Sequence, residues 1–179
     1  KSYSNSLQTM EELKKKYPEM EMFIDVHRDA LGSDDPLTTE INGEEVTKLM
    51  LVVGSNKRSN HPNWEENLAF ARKIGNALEA EYPGILRSVR VQSGRYNQHM
   101  SPKSILVEVG CSNSSLEQAK KGVDYLAVAI EKVLLAEQLE KEKPTETENK
   151  KEIKNEQSQN TASDLLNGTE AMEMVPIVE

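Results

Sequence analysis

Met22-Phe23-Ile24-Asp25-Val26 runs directly into His27-Arg28-Asp29, and Ser104-Ile105-Leu106-Val107 runs into Glu108-Val109-Gly110. Both apolar runs are short and rich in branched residues, so each reads as a buried strand. An open α/β sheet places its chemistry at strand ends, and here one end carries a histidine and the other a carboxylate. Neutral imidazole is a common zinc ligand. A carboxylate beside zinc can take the proton from a bound water. The pairing points to metal-assisted hydrolysis, with only part of the site in this chain.

Working outward, strands and helices alternate. Ser6 to Lys16 carries Leu7, Met10 and Leu13 at helical spacing, with Ser6 as a cap. Thr38 to Ile41 and Val46 to Val53 flank Asn42-Gly43, the signature of a tight hairpin turn. Pro62 to Glu81 reads as a helix through Trp64, Leu68, Ala71, Ile74 and Leu78. Leu86 to Val91 alternates as a strand, and Gly94 to Pro102 reads as a polar loop. The last helix is expected from Ser114 to about Gln138, burying Leu116, Ala119, Val123, Leu126, Ile130, Val133 and Leu134. The expected fold is α/β, a largely parallel sheet flanked by helices.

The chain has 179 residues and a formal net charge of −8. Leu139 to Glu179 holds ten acidic and five basic residues, a net of −5, and no aromatics. That composition cannot bury enough to offset its ordering entropy, so residues 139–179 read as a disordered low-complexity tail. Asp164-Leu165-Leu166 and Met172 to Val178 are small apolar islands within it. Residues 1–138 form one domain, only mildly acidic, with no basic stripe to bind nucleic acid. No apolar run is long enough to span a membrane.

Among single residues, His27 has two readings: a histidine satisfied by backbone groups, or a metal ligand. Arg28 and Asp29 beside it are hard to explain as packing. Asp25 lies one pleat step away on the same side, in reach to orient the imidazole; a structural Asp–Arg ion pair involving Arg28 or Asp29 is the alternative reading. Glu108 is flanked by apolar residues, and burial would raise its pKa toward a general base working near neutrality. Its alternative is a place at the sheet's solvent end. Arg95, Tyr96, Asn97 and Gln98 either hydrogen-bond a polar substrate or close a turn. His61 and His99 have no informative ligand spacing. Cys111, the sole cysteine, is a small buried hydrophobe or, in a rival reading, the nucleophile of a cysteine hydrolase.

Phe23-Ile24-Asp25-Val26-His27-Arg28-Asp29-Ala30 resembles the signature of the stage II sporulation protein P family, the engulfment peptidoglycan hydrolases of spore-forming bacteria. Ile41-Asn42-Gly43, Val52-Val53-Gly54, Glu66-Asn67-Leu68-Ala69, Tyr82-Pro83-Gly84, Tyr96-Asn97-Gln98 and Leu106-Val107-Glu108-Val109-Gly110 resemble the same family in the same order. The resemblance covers about Lys1 to Leu135. It implies a zinc-dependent N-acetylmuramoyl-L-alanine amidase with a zinc-amidase-like sandwich, His27 as a zinc ligand and Glu108 as the catalytic carboxylate. It implies peptidoglycan as substrate and stage II sporulation proteins D and M as partners. It also implies an N-terminal membrane anchor and a site of action on the outer face of the cytoplasmic membrane, facing the wall. The family's first zinc-binding segment is not matched, so the chain is expected to be an N-terminally truncated catalytic domain, inactive alone. The alternative is a catalytically inactive glycan- or partner-binding module that keeps the fold.

Overall fold

The computed structural model describes residues 2–31 and 36–142. The expected tail beyond Glu142 lies outside the described residues. The described elements are α1 (Ser2–Lys16), β1 (Met22–Asp29), β2 (Thr38–Ile41), β3 (Glu44–Thr47), β4 (Leu49–Gly54), α2 (Trp64–Glu81), β5 (Leu86–Gln92), β6 (Lys103–Cys111) and α3 (Leu116–Glu142). A short 3-10 turn, Gln98–Met100, interrupts the loop before β6.

The main sheet has the order β1-β6-β4-β5. β1 runs parallel to β6 and β4 parallel to β5, while β4 and β6 are antiparallel. The sheet is thus mixed, with two parallel pairs meeting at one antiparallel junction. Asn42-Gly43 does turn a hairpin, as its residues demand, and Gly43 takes the positive φ of 78°. The second hairpin strand is not the long run expected, however. It stops at Thr47, and Leu49–Gly54 is a separate strand in the main sheet. The break depends on strand partners, β2 for Glu44–Thr47 and β5 and β6 for Leu49–Gly54, which no local pattern reveals.

Alternation along β4 and β6 divides the sheet into two faces. One side presents Leu49, Leu51, Val53, Ile105, Val107 and Val109 to Phe70, Ile74 and Leu78 of α2 and to Leu126, Ile130 and Val133 of α3. This is the main core. The other side carries a smaller apolar cluster, Met50, Val52 and Leu106, with Tyr96 packed against it.

Two helices differ from expectation. In α3 the buried residues are Gly122, Leu126, Ala129, Ile130 and Val133, while Leu116 is 64% exposed and Val123 37%. The apolar stripe therefore enters the core one turn later than its periodicity suggests. The helix also runs on to Glu142, past the expected end. α1 begins at Ser2 rather than Ser6 and buries no residue at all. Ser6 does not cap it; its hydroxyl donates to the Tyr3 carbonyl inside the helix. No helix among the described residues is long and apolar enough to cross a membrane.

Candidate functional site

β1 extends through His27 to Asp29, so the histidine lies inside the strand rather than past its end. Its register partner on the parallel neighbour β6 is Glu108. Partners in adjacent strands share a face, so the two candidate residues stand side by side on the side opposite the main core. Glu108 is also registered with Met50 on β4, which places it at the margin of the smaller apolar cluster.

Asp25 occupies the same face one pleat step back. Its Oδ1 lies 3.0 Å from His27 Nε2, the orienting contact that the spacing suggests. Asp29, one step forward, pairs with Arg87 at 2.9 Å, both side chains 19% exposed. Arg87 comes from β5 at the far edge of the sheet and was not legible as a site residue, since nothing local links it to β1.

Glu108 is half-buried, and its Oε2 is a buried oxygen without a hydrogen-bond partner. Burial, and then the Asp29 carboxylate, push its pKa up, against the smaller opposing pull of His27 and Arg87. An unsatisfied buried carboxylate oxygen is costly and calls for an explanation. A strand residue cannot turn away from its face, so the position imposes the cost.

Tyr3, which no local pattern singles out, also lies against this face. Its ring stacks on His27 with centroids 6.4 Å apart, and it meets Tyr96 edge-on at 5.8 Å. Burial first, and then Asp25, Tyr96 and Glu108, raise the Tyr3 pKa. Tyr3 lies off the helical period of Leu7, Met10 and Leu13.

The remaining candidates are engaged in holding the fold. Arg28 donates from Nε to the Cys111 carbonyl at 3.2 Å and from Nη2 to the Ser114 carbonyl. Arg95 donates to the Asn60 carbonyl at 3.2 Å. Asn97 donates to the Tyr3 carbonyl at 2.7 Å and to Ser6 Oγ at 3.0 Å, tying the loop to α1. Gln98 is 2% exposed; its Oε1 accepts from Gly54 N–H at 2.7 Å and its Nε2 donates to the Val52 carbonyl at 2.9 Å. Its amide thus braces the end of β4. Tyr96 and Asn97 both sit at positive φ, 51° and 58°, a conformation that persists only where the surroundings enforce it.

His61 and Asn67 complete that brace, both fully buried. The Asn67 amide lies 3.1 Å from His61 Nε2 and donates to the Gln98 carbonyl at 3.0 Å. Burial lowers the pKa of His61 and of His99. Cys111 is fully buried, as a small hydrophobe is, with its thiol 3.8 Å from Ser114 Oγ. Gly110 takes a φ of 64°, and a Cβ there would lie 1.9 Å from Thr47 Oγ1. Only glycine permits β6 to pass this close to Thr47 and Ser114 directly after Glu108-Val109.

The zinc set that the resemblance implies needs about three protein ligands. Among the described residues, no group of three or more His, Cys, Asp or Glu side chains is arranged to hold a metal ion. His27 contributes one imidazole, already hydrogen-bonded to Asp25. The described residues therefore do not by themselves fit a zinc ion.

The fold and site define an α/β domain with a histidine and a buried carboxylate on adjacent strands of a mixed sheet. Residues 1–131 match the family model for stage II sporulation protein P, SpoIIP. The chain belongs to that family. It is 26% identical over 132 residues to stage II sporulation protein P of Bacillus subtilis (strain 168), covering 71% of this chain and 32% of the relative. It thus spans about a third of the length of that curated relative. No solved structure matches it.

Proposed function

We propose that this chain carries part of the active site of a peptidoglycan amidase that cleaves the amide between muramic acid and L-alanine during forespore engulfment. The observation that supports this reading is the Glu108 carboxylate beside His27 on one strand face, with its Oε2 buried and without a hydrogen-bond partner and its pKa raised. A carboxylate poised toward neutrality is a competent general base. Glu108 takes a proton from the water that attacks the amide carbonyl. It then returns that proton to the departing amine as the C–N bond breaks. Asp25 keeps the His27 ring in one orientation, and the Asp29–Arg87 pair fixes the charge facing Glu108.

In this reading the enzyme is zinc-dependent and His27 is one metal ligand, with further ligands from residues other than those described. The intact protein works at the outer face of the membrane, with proteins D and M as partners. The test is release of stem peptide from purified peptidoglycan by a protein of the relative's length carrying these residues. Glu108→Gln should keep the fold and lose release; near-normal release would refute the assigned role.

The small donor set on this face favours a second reading, a glycan- or partner-binding module without catalysis. Stoichiometric zinc retained by the full-length protein and lost in His27→Ala would favour the enzyme. Wall binding without zinc or peptide release would favour the module.

A further inference from the structure

The register of the four main strands sets out a row on the polar face: His27, Glu108, Met50 and Ser88, in the order β1, β6, β4, β5. Just beyond that row, Asp29 stands on β1 at one edge of the sheet and Arg87 on β5 at the other. Arg87 occupies the point where the register of β5 against β4 shifts, between Leu86 and Ser88. Its Nη1 nevertheless meets Asp29 Oδ2 at 2.9 Å. Three strand spacings separate the two backbones, about 14 Å. An aspartate is short, so the arginine covers most of that span. Its guanidinium therefore lies over the middle of the sheet, beside Glu108, where its charge opposes the rise in the Glu108 pKa.

Stability is a poor reason for this reach. Ordering an extended arginine costs side-chain entropy, and ion pairs, exposed or buried, return little net stability. The guanidinium also spends only part of its capacity on Asp29. It presents five N–H donors, and among the described residues Asp29 is the one acceptor that its side chain meets.

We propose that Arg87 is a further catalytic residue whose free N–H groups donate to the oxygen of the scissile amide; this rests on the amidase reading above. As Glu108 takes a proton from water, the water oxygen bonds to the amide carbon and the C=O electron pair moves onto the amide oxygen. Arg87 stabilises the negative charge that gathers there. The pair then returns to re-form C=O, the C–N bond breaks, and the proton held by Glu108 passes to the leaving nitrogen. A donor fixed in advance at the developing charge needs no reorganisation at the moment of reaction. Arg87 meets that requirement because Asp29 fixes its head, and because a guanidinium keeps its charge across the whole working range of a carboxylate base. Asp29 is then a positioning residue, acting through Arg87.

The test is the kinetics of stem-peptide release from a soluble N-acetylmuramoyl peptide, by a protein of the relative's length carrying these residues. Arg87→Ala should lower kcat about 10²–10³-fold, the scale of losing one oxyanion donor. KM should stay unchanged, the mark of an interaction made only in the transition state. Guanidinium ion, added at low, non-denaturing concentration, should restore part of the Arg87→Ala rate and leave the parent rate alone. Arg87→Lys keeps the charge and guards against a variant that fails to fold. It should hold the thermal midpoint and still lose kcat, because the shorter, single-headed ammonium cannot reach both Asp29 and the substrate oxygen. An unchanged kcat in both variants overturns the proposal. So does a raised KM with kcat kept, which would make Arg87 an anchor for a substrate carboxylate. A kcat that falls only in step with the thermal midpoint, without rescue by guanidinium, overturns it too and leaves Arg87 as a structural tie. A parent protein that releases no stem peptide sinks the amidase reading, and this proposal with it.

Discussion

The two faces of the sheet are built from the same strands and obey opposite rules. On one, Leu51, Val53, Ile105 and Val107 meet α2 and α3 in a closed apolar core. On the other, Asp25, His27 and Glu108 share a surface with a smaller apolar cluster, Met50, Val52 and Leu106, with Tyr96 packed against it. In β6 the change happens between consecutive residues. Val107 is fully buried in the core, and Glu108 beside it is left with an unpartnered oxygen. Core burial at Val107 fixes the strand's register, and that register forces Glu108 onto the polar face. The apolar face thus supplies the stability that holds a costly carboxylate in place.

The sharpest way to break this comparison is to change each face separately. On the proposed amidase reading, Glu108→Gln in a protein of the relative's length should cost about 10²–10⁴-fold in peptide release while leaving the fold intact, the usual scale of lost general-base catalysis. Release from peptidoglycan together with far-ultraviolet circular dichroism reads both halves of that statement. Leu51→Ala, on the opposite face, should cost about 2–5 kcal/mol of unfolding free energy, because Leu51 is fully buried. Denaturant titration measures it, and a cost near zero would mean the α2/α3 face is not the stabilising one.

Gln98→Ala probes the brace behind the loop. It strips Gly54 N–H and the Val52 carbonyl of their side-chain partner and should cost about 1–3 kcal/mol. Faster amide exchange from Arg95 to Ser101 should accompany it, as the strained Tyr96-Asn97 pair relaxes. Unchanged exchange would show that the brace does not hold the loop.

The smallest effect is on pH dependence, and its sign differs between two regions. Glu108 has a raised pKa in the folded chain, so the fold binds its proton more tightly than the unfolded chain does. Its contribution is fully present below the ordinary carboxylate value of 4.5 and is lost as pH rises through the raised value. His61 has a lowered pKa, so its contribution is present above the ordinary value of 6.5 and is lost as pH falls from there through the lowered value. Thermal midpoints of Glu108→Gln should therefore gain on the parent as pH rises above 4.5. A difference that is flat with pH would show Glu108 to be solvated rather than buried.

The α2 stripe, the Asn-Gly turn and the two apolar runs were legible because each is a local pattern. The Asp25–His27 spacing was legible for the same reason, since a pleat of period two puts both on one side. The break between Thr47 and Leu49 was not, because it depends on which strands each segment pairs with, β2 for the first and β5 and β6 for the second. Nor was the dual use of the Tyr96-Asn97-Gln98 block. Its residue types suit substrate contacts, yet Gln98 spends both ends of its amide on the backbone of β4, and Asn97 is spent on α1.

By itself, the sequence determined the alternating α/β pattern, the strand identity of residues 22–26 and 105–109, and the family. Those follow from periodicity, turn chemistry and ordered motifs, all of which are properties of neighbours in the chain. Tertiary structure alone decided that β1 lies beside β6, so that His27 faces Glu108 across 81 positions of sequence. It also decided that Arg87 reaches Asp29 and that Tyr3 stacks on His27. Strand order and the docking of a helix with no buried side chain depend on which surfaces meet after collapse, and no local pattern carries that information.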